Sequence, residues 1–342
     1  MARMPPSPRP RFALWMAASG AALAALAAWS LTVGRYPVGA ADVFRALAAA
    51  LTQAGGIGDN AQAVILDVRA PRVAAALVVG AALSGAGAAF QALFRNPLVS
   101  PDILGVSSGC ALGAGAAVLL ALPLAGVQAF AFAGGLAAVG LVVAIAARVG
   151  ERDPLLTLIL AGVVVGSLFG AGIALVKFVA DPYNQLPAIT FWLLGSFSGV
   201  SPADLGVALV PLALGIVPLW LLRSRVDLLA LSEDEAASLG ANVRGLRAAV
   251  IVFGTLATAA AVAIAGTIGW VGLLVPHAAR MLAGAPFARV FPLSLVLGAG
   301  FMVAVDTACR SAFAVEIPPG VATAFVGAPV FIALLAATRR AP

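Results

Sequence analysis

Polar residues are so sparse along this chain that uninterrupted apolar runs, not an alternation of apolar and polar positions, define its elements. Runs of about 20 uncharged residues recur, each long enough at roughly 1.5 Å per residue to cross a hydrocarbon layer of roughly 30 Å. They predict spans at residues 12–33, 64–93, 101–122, 124–147, 154–178, 202–222 and 291–308, and a last one opened by Pro318 and Pro319. Residues 248–279 are too long for one crossing. Arg247 and Arg280 flank them with the same topological sign, so they must cross twice, turning near residues 266–269. Residues 34–63 form an exterior segment with a helix-like stretch at 42–51, and the run ADPYNQLP reads as a loop before the Gly/Ser-broken segment FWLLGSFSG. The expectation is an all-α polytopic membrane protein of about ten transmembrane helices, one domain over residues 1–342, with both termini cytoplasmic. A cytoplasmic tail at 1–11 and a cytoplasmic interval at 228–247 complete the pattern. For the first run a cleaved signal peptide is the alternative, since Arg3, Arg9 and Arg11 make a positive flank; the run exceeds a usual signal core, which favours a retained span.

The most patterned stretch lies between Arg69 and Gly113. Arg69, Arg72, Ala76, Gly80, Ser84, Gly87 and Gln91 advance in steps of three or four and form one small or polar helical stripe. That stripe is expected to face a neighbour or an aqueous path, with Val73, Leu77, Val78, Leu83, Phe90 and Leu93 turned to lipid. A charge at mid-bilayer costs about 2.5–3.5 kcal/mol even on lenient scales, so Arg69 and Arg72 are expected at the exterior mouth or facing water. Pro97 pushes Asn96 out of the helical region and ends the helix at RNPL. Gly105, Gly109 and Gly113, then Gly162, Gly166 and Gly170, repeat every fourth residue, a spacing for close helix packing in membranes.

Composition closes off other classes. With 62% hydrophobic and 10% charged residues and a mean hydropathy of +1.08, the chain could not clothe a soluble domain. Its net charge of +6 comes from arginines in ones and twos beside apolar runs, which are topology signals and not a nucleic-acid surface. Cys110 and Cys309 fall in separate runs, so neither a disulfide framework nor a metal site is expected. The chain has no G-x-x-x-x-G-K-[ST] loop to cradle ATP, no H-E-x-x-H and no G-x-S-x-G, so it is not expected to be an enzyme. Ionisable groups are almost absent inside the runs; Asp306, one turn from Arg310, is the clearest exception and could pair with it. Energy for uphill transport would then come from another polypeptide. Ser232 and Glu235 form a capping box, Glu233 and Asp234 add acid to the first turn, and Gly240 supplies a stop, which predicts a cytoplasmic docking helix between Glu233 and Leu239; a solvated loop is the alternative.

Taken together, VRAPRVAAALVVGAALSGAGAAFQALFRNPLVSPDILGVSSG, LILAGVVVGSLFG, FWLLGSFSG, LALSEDEAASLGANVRGLR, IAGTIGWVGLLVPHAARML and GVATAFVGAPVFIALL resemble the transmembrane permease family of ABC importers for ferric siderophores, haem and cobalamin. The resemblance implies a homodimer in a bacterial inner membrane, with two cytoplasmic ATPase subunits holding ATP and Mg, and a periplasmic substrate-binding protein. On it, Arg69, Arg72 and Arg310 meet acidic residues of the binding protein, and Asn96, Pro97 and Leu98 close the pathway on the cytoplasmic side. Gly80, Ser84, Gly87, Gln91, Gly105, Gly109, Gly162 and Gly166 form a pathway or packing face. Ser232, Glu233, Asp234, Glu235, Ala236, Leu239 and Gly240 match the family's coupling helix, in its shorter form with two residues between EAA and Gly. Pro276 and His277 match as well, the histidine as a helix-end hydrogen-bonding group. One histidine, five methionines and two tyrosines leave few iron ligands, so an intact chelate is expected to cross; haem, ferric siderophore and cobalamin all remain open. An ion-coupled carrier and a scaffold subunit are the alternatives from other classes.

Overall fold

A computed structural model describes residues 9–52, 59–149, 154–312 and 314–338. Most of the expected N-terminal tail, Glu151 to Asp153, Arg339 and Arg340 lie outside the described residues. Helices follow in the order α1 (Arg9–Thr32), α2 (Ala40–Thr52) and α3 (Asp59–Ala63), which runs through a π-helical turn (Val64–Arg69) into α4 (Ala70–Leu93). After a 3-10 turn (Pro101–Leu104) come α5 (Val106–Leu119), α6 (Leu124–Val149), α7 (Pro154–Val179), α8 (Gln185–Leu193), α9 (Pro202–Leu221) and α10 (Arg223–Val226). A second 3-10 turn (Asp227–Ala230) leads to α11 (Glu233–Ser238), α12 (Val243–Ala265), α13 (Val271–Ala283), α14 (Phe287–Ser311) and α15 (Pro319–Thr338). Among the described residues seven helices are long and apolar enough to cross a membrane, and three shorter apolar ones, in α5, α13 and α15, bring the number to the expected ten.

α4 is the axis of the packing, and here one expectation fails. Its small stripe does seat neighbours, but four of the six bulky residues expected to face lipid, Val73, Leu83, Phe90 and Leu93, are buried in protein, while Leu77 and Val78 are half-buried. Protein surrounds α4 on nearly every side. A Cβ on Gly80 would stand 2.2 Å from the Gly298 carbonyl oxygen of α14, and one on Gly87 would stand 1.9 Å from the Gly272 oxygen of α13. Those two glycines bring the backbones together, and dispersion across the close contact replaces the hydrophobic drive that lipid removes. On the other side the Phe90 ring covers Gly254 of α12, so a ring on one helix fills the notch left by a missing side chain on the next.

Two other segments depart from expectation. Residues 101–122 do not make one span: Pro101 opens a 3-10 turn, Gly105 adopts φ 75°, and only then does α5 begin. The left-handed backbone at Gly105 is open to glycine without a Cβ clash, and it takes Gly105 off the face that carries Gly109 and Gly113. The second is FWLLGSFSG. Its first half is the end of α8, and its second half docks on the turn between α12 and α13, where the Ser196 amide donates to the Ala265 carbonyl at 2.7 Å. That turn, with positive φ at Gly266 and Trp270, falls where the double crossing was expected to reverse.

Gly80→Ala should destabilise the protein by about 1–3 kcal/mol, the usual cost of overpacking a tight contact. Gly170→Ala, where a Cβ meets nothing within 4 Å, should leave stability unchanged or raise it. Thermal unfolding of both variants in detergent checks the contrast.

Candidate functional site

The sequence places Arg69 and Arg72 at the start of α4, and Arg310 near the end of α14, at one end of the bundle. All three were expected as exposed rim charges, and all three are buried. The physical reason is the end of α1. Its last carbonyls have no helical partner and need donors from elsewhere. Arg69 donates to the carbonyls of Leu31 at 2.8 Å, Thr32 at 3.0 Å and Tyr36 at 2.5 Å. Arg310 donates to the Ser30 and Val33 carbonyls, and to the Ser30 hydroxyl at 2.8 Å. Two cations thus cap one helix C-terminus, where both hydrogen bonding and the helix dipole favour them.

Arg72 is held differently. Its Nε donates to both Asp306 oxygens, at 2.9 and 3.0 Å, and its Nη2 reaches Asp306 at 2.7 Å and Glu316 at 2.6 Å. Asp306 also faces Arg310 at 3.5 Å, the one-turn pair expected from spacing. Asp306 therefore lies between two guanidinium groups, about a turn and a half from the end of α14 and away from the middle of that helix. Glu316 had no signal in the sequence. It sits in the loop after α14, is the carboxylate of the network with substantial solvent access, and only the folded chain brings it to Arg72.

The opposite end carries α11. The capping box is present: the Ser232 hydroxyl accepts from the Glu235 amide at 3.3 Å, and Glu235 accepts from the Ser232 amide at 3.0 Å. A hydrogen bond from the Ser232 side chain, then one from its backbone, lowers the Glu235 pKa below the ordinary glutamate value. Gly240 ends the helix with φ 76°, its amide bonding to Ala237 and the next amide to Ala236. Of α11 only Ala236 is buried, while Leu239 is exposed; Glu233 fastens the helix to Arg247 of α12 at 2.6 Å. A cavity of about 460 Å³ opens beside it, lined by Leu222, Arg225, Leu239, Asn242 and Leu246 among others.

At the same end α4 stops at RNPL, as Pro97 requires. Asn96, Pro97 and Leu98 are exposed, and the Asn96 side chain accepts from the Leu98 amide at 2.9 Å. A second cavity of about 370 Å³ borders Gln91, Arg95, Asn96, Pro97, Asp227 and His277. Arg95 takes φ 50° and donates through Nε to the Leu229 carbonyl at 2.6 Å, and through Nη2 to the Leu231 carbonyl. Asp227 accepts from the amides of Phe287 at 2.5 Å and Ala288 at 3.2 Å, capping the start of α14 from a distance. Sequence reasoning passed over both residues, because an arginine before a proline and a lone aspartate have no distinguishing spacing.

The expected small-residue face divides into separate packing contacts. Gly80 and Ser84 meet α14, where the Ser84 hydroxyl approaches the Ser294 carbonyl at 2.7 Å; Gly87 and Gln91 meet α13. Gly109 meets α6 at Gly134, and Gly105 lies against Gly166, beside Gly162. Of these residues, Gln91 borders the second cavity.

Residues 22–337 match the FecCD transport family. A Helicobacter pylori permease named for an iron chelatin transport system is 42% identical over 81% of this chain and 83% of its own length. The molybdate import system permease MolB of Haemophilus influenzae is 39% identical over 91% of this chain and 92% of its own. Among solved structures, an inward-facing conformation of a metal-chelate type ABC transporter is 37% identical, with a TM-score of 0.84 over 94% of this chain and 98% of that one.

Asp306→Ala should cost about 3–5 kcal/mol, because it leaves buried arginines without their shared counter-charge, whereas Glu316→Gln should cost under about 1 kcal/mol. Chemical denaturation in mixed micelles measures both. At α11 the linkage has a definite sign: with its pKa lowered on folding, Glu235 supports the capping box at neutral pH and loses that support as pH falls through its lowered value. Amide exchange at Ser232 and Glu235 should become less protected on acidification, an effect absent in Glu235→Gln.

Proposed function

The chain belongs to the FecCD transport family and is a permease of an ABC importer, and from that premise we propose that two copies of it work with two cytoplasmic ATPase subunits and a periplasmic binding protein in a bacterial inner membrane. The observation that carries this reading is α11, a capped acidic helix held to the bundle by Ala236 and Glu233 and otherwise exposed, with an apolar Leu239 at its end. A short helix standing clear of the bundle suits insertion into a cleft on another protein. Ser232 to Gly240 is assigned the coupling role, and ATP and Mg are assigned to the ATPase partner, with no cofactor on this chain.

The cargo in this reading is an intact metal chelate, a ferric siderophore or haem, with cobalamin as the alternative. The scarcity of histidine, methionine and tyrosine favours a cargo that keeps its own ligands. The likeness to a molybdate permease adds a metal oxyanion to the compounds worth testing. Asn96, Pro97 and Leu98 are assigned to closure of the cytoplasmic mouth, since they are exposed beside a cavity at the α11 end. Docking of the binding protein is assigned to the arginine end. Arg72 is its best candidate, because its partner Glu316 can yield to an incoming carboxylate while Arg69 and Arg310 remain committed to α1. Against an ion-coupled carrier stands the position of Asp306, which is neutralised by two arginines near a helix end.

Vesicles holding the chain with its ATPase and binding protein should accumulate at least one of ferric siderophore, haem, cobalamin or molybdate only when ATP is supplied. Vesicles holding the chain alone should accumulate none under a proton or sodium gradient. Accumulation by the chain alone would overturn the reading.

A further inference from the structure

We propose that Arg95 is a positioning residue that ties the motion of α11 to the cytoplasmic end of α4, making the coupling segment and the mouth of the pathway one mechanical unit. The inference rests on the function proposed above and adds to it the residue through which force would pass. At the α11 end two helices close in the same hydrogen-bonded motif, with different residues in its left-handed position; α5 closes in it too, at Ala121. In α11 the left-handed position is Gly240, with the following amide bonded to Ala236. In α4 it is Arg95, with its amide bonded to Ala92 and the following amide to Gln91. A Cβ in this backbone region is unfavourable, so glycine is the unstrained choice at both places. At this end α4 carries the strained residue, and two nitrogens of its guanidinium bind the carbonyls of Leu229 and Leu231. Those carbonyls belong to the turn that leads directly into Ser232, the cap of α11.

A second fastening completes the unit. Asp227, at the start of the same turn, holds the first amides of α14. α4 and α14 are themselves joined by the Gly80 and Gly298 contact and, at their far ends, by Arg72 and Asp306. A displacement of α11 is therefore delivered to a rigid pair of helices, and Arg95 is the link that pulls directly on the residues before Asn96 and Pro97.

The strain supplies a discriminating variant. Arg95→Gly relaxes the backbone, keeps the left-handed turn and removes the link, whereas Arg95→Lys keeps a charge with a single reach. In vesicles with the complete assembly, Arg95→Gly should retain thermal stability, association with the ATPase and ATP hydrolysis near wild-type levels. Cargo moved per ATP, scored with ferric siderophore, haem, cobalamin and molybdate, should fall by at least about tenfold, the factor expected from losing even one of the two charge-assisted hydrogen bonds that Arg95 makes. Arg95→Lys should recover part of that loss. Spin labels at the exposed positions Leu98 and Ser238 give a readout independent of cargo: their separation should stay constant when ATP and Mg are added to the parent protein, and should shift or broaden in Arg95→Gly. Unchanged cargo per ATP, or an unchanged separation in Arg95→Gly, would overturn the proposal. A parent protein that accumulates none of the four cargoes would instead overturn the function on which it rests, and the spin-label outcome would still decide the role of Arg95.

Discussion

The close crossing of α4 and α14 is the contact on which the rest of the structure depends. Gly80 and Gly298 put two backbones so near that neither can acquire a Cβ without displacing the other, and Ser84 adds a hydrogen bond at the same place. Lipid is as apolar as leucine, so burial alone gives little reason for two such helices to associate; the association comes from contact density and from polar groups that have no better partner. Once the pair is formed, α13 fits against Gly87 and α12 against Phe90, which leaves α4 with a half-buried strip at Ala74, Leu77, Val78 and Ala81. α7, by contrast, presents Leu160, Val164 and Leu168 outward.

Charge is distributed according to the same rule that polar groups must satisfy one another. Guanidinium groups and helix-end carbonyls are both costly without partners near the membrane, and at the arginine end each solves the other's problem. Arg69 and Arg310 close the end of α1, and Asp306 neutralises Arg72 while facing Arg310. Of this network Glu316 is the member open to exchange with solvent or a partner. The arrangement makes the end stiff, with a single adjustable contact.

At the α11 end the logic is reversed. The helix is stabilised from within, by its capping box and its glycine stop, and barely by the bundle, so it can be presented to a partner without loss of its own structure. The connections that do reach the bundle, from Glu233 to Arg247, from Arg95 to the preceding turn and from Asp227 to α14, are polar and directional. Polar fastenings of that kind keep a peripheral element in register while leaving its outer surface free. They also join it to the same two helices that the arginine end holds together.

What the sequence determined by itself was whatever depends on short separations along the chain. The long apolar runs set the spans, Pro97 set the end of α4, Ser232 with Glu235 set the start of α11, and Asp306 with Arg310 showed their pairing one turn apart. The tertiary structure alone decided which side of each helix meets protein and which partner a charge finds. A helical stripe of small residues reads the same whether it borders water or a second backbone, so Gly80 and Gly87 could be recognised as contact positions while their partners could not. In the same way Arg69 and Arg310 found the end of α1, and Arg72 found Asp306 and Glu316, groups that only the folded chain brings within reach of them. Position along the chain carries the periodic and capping signals, whereas satisfaction of a buried polar group is a property of everything packed around it.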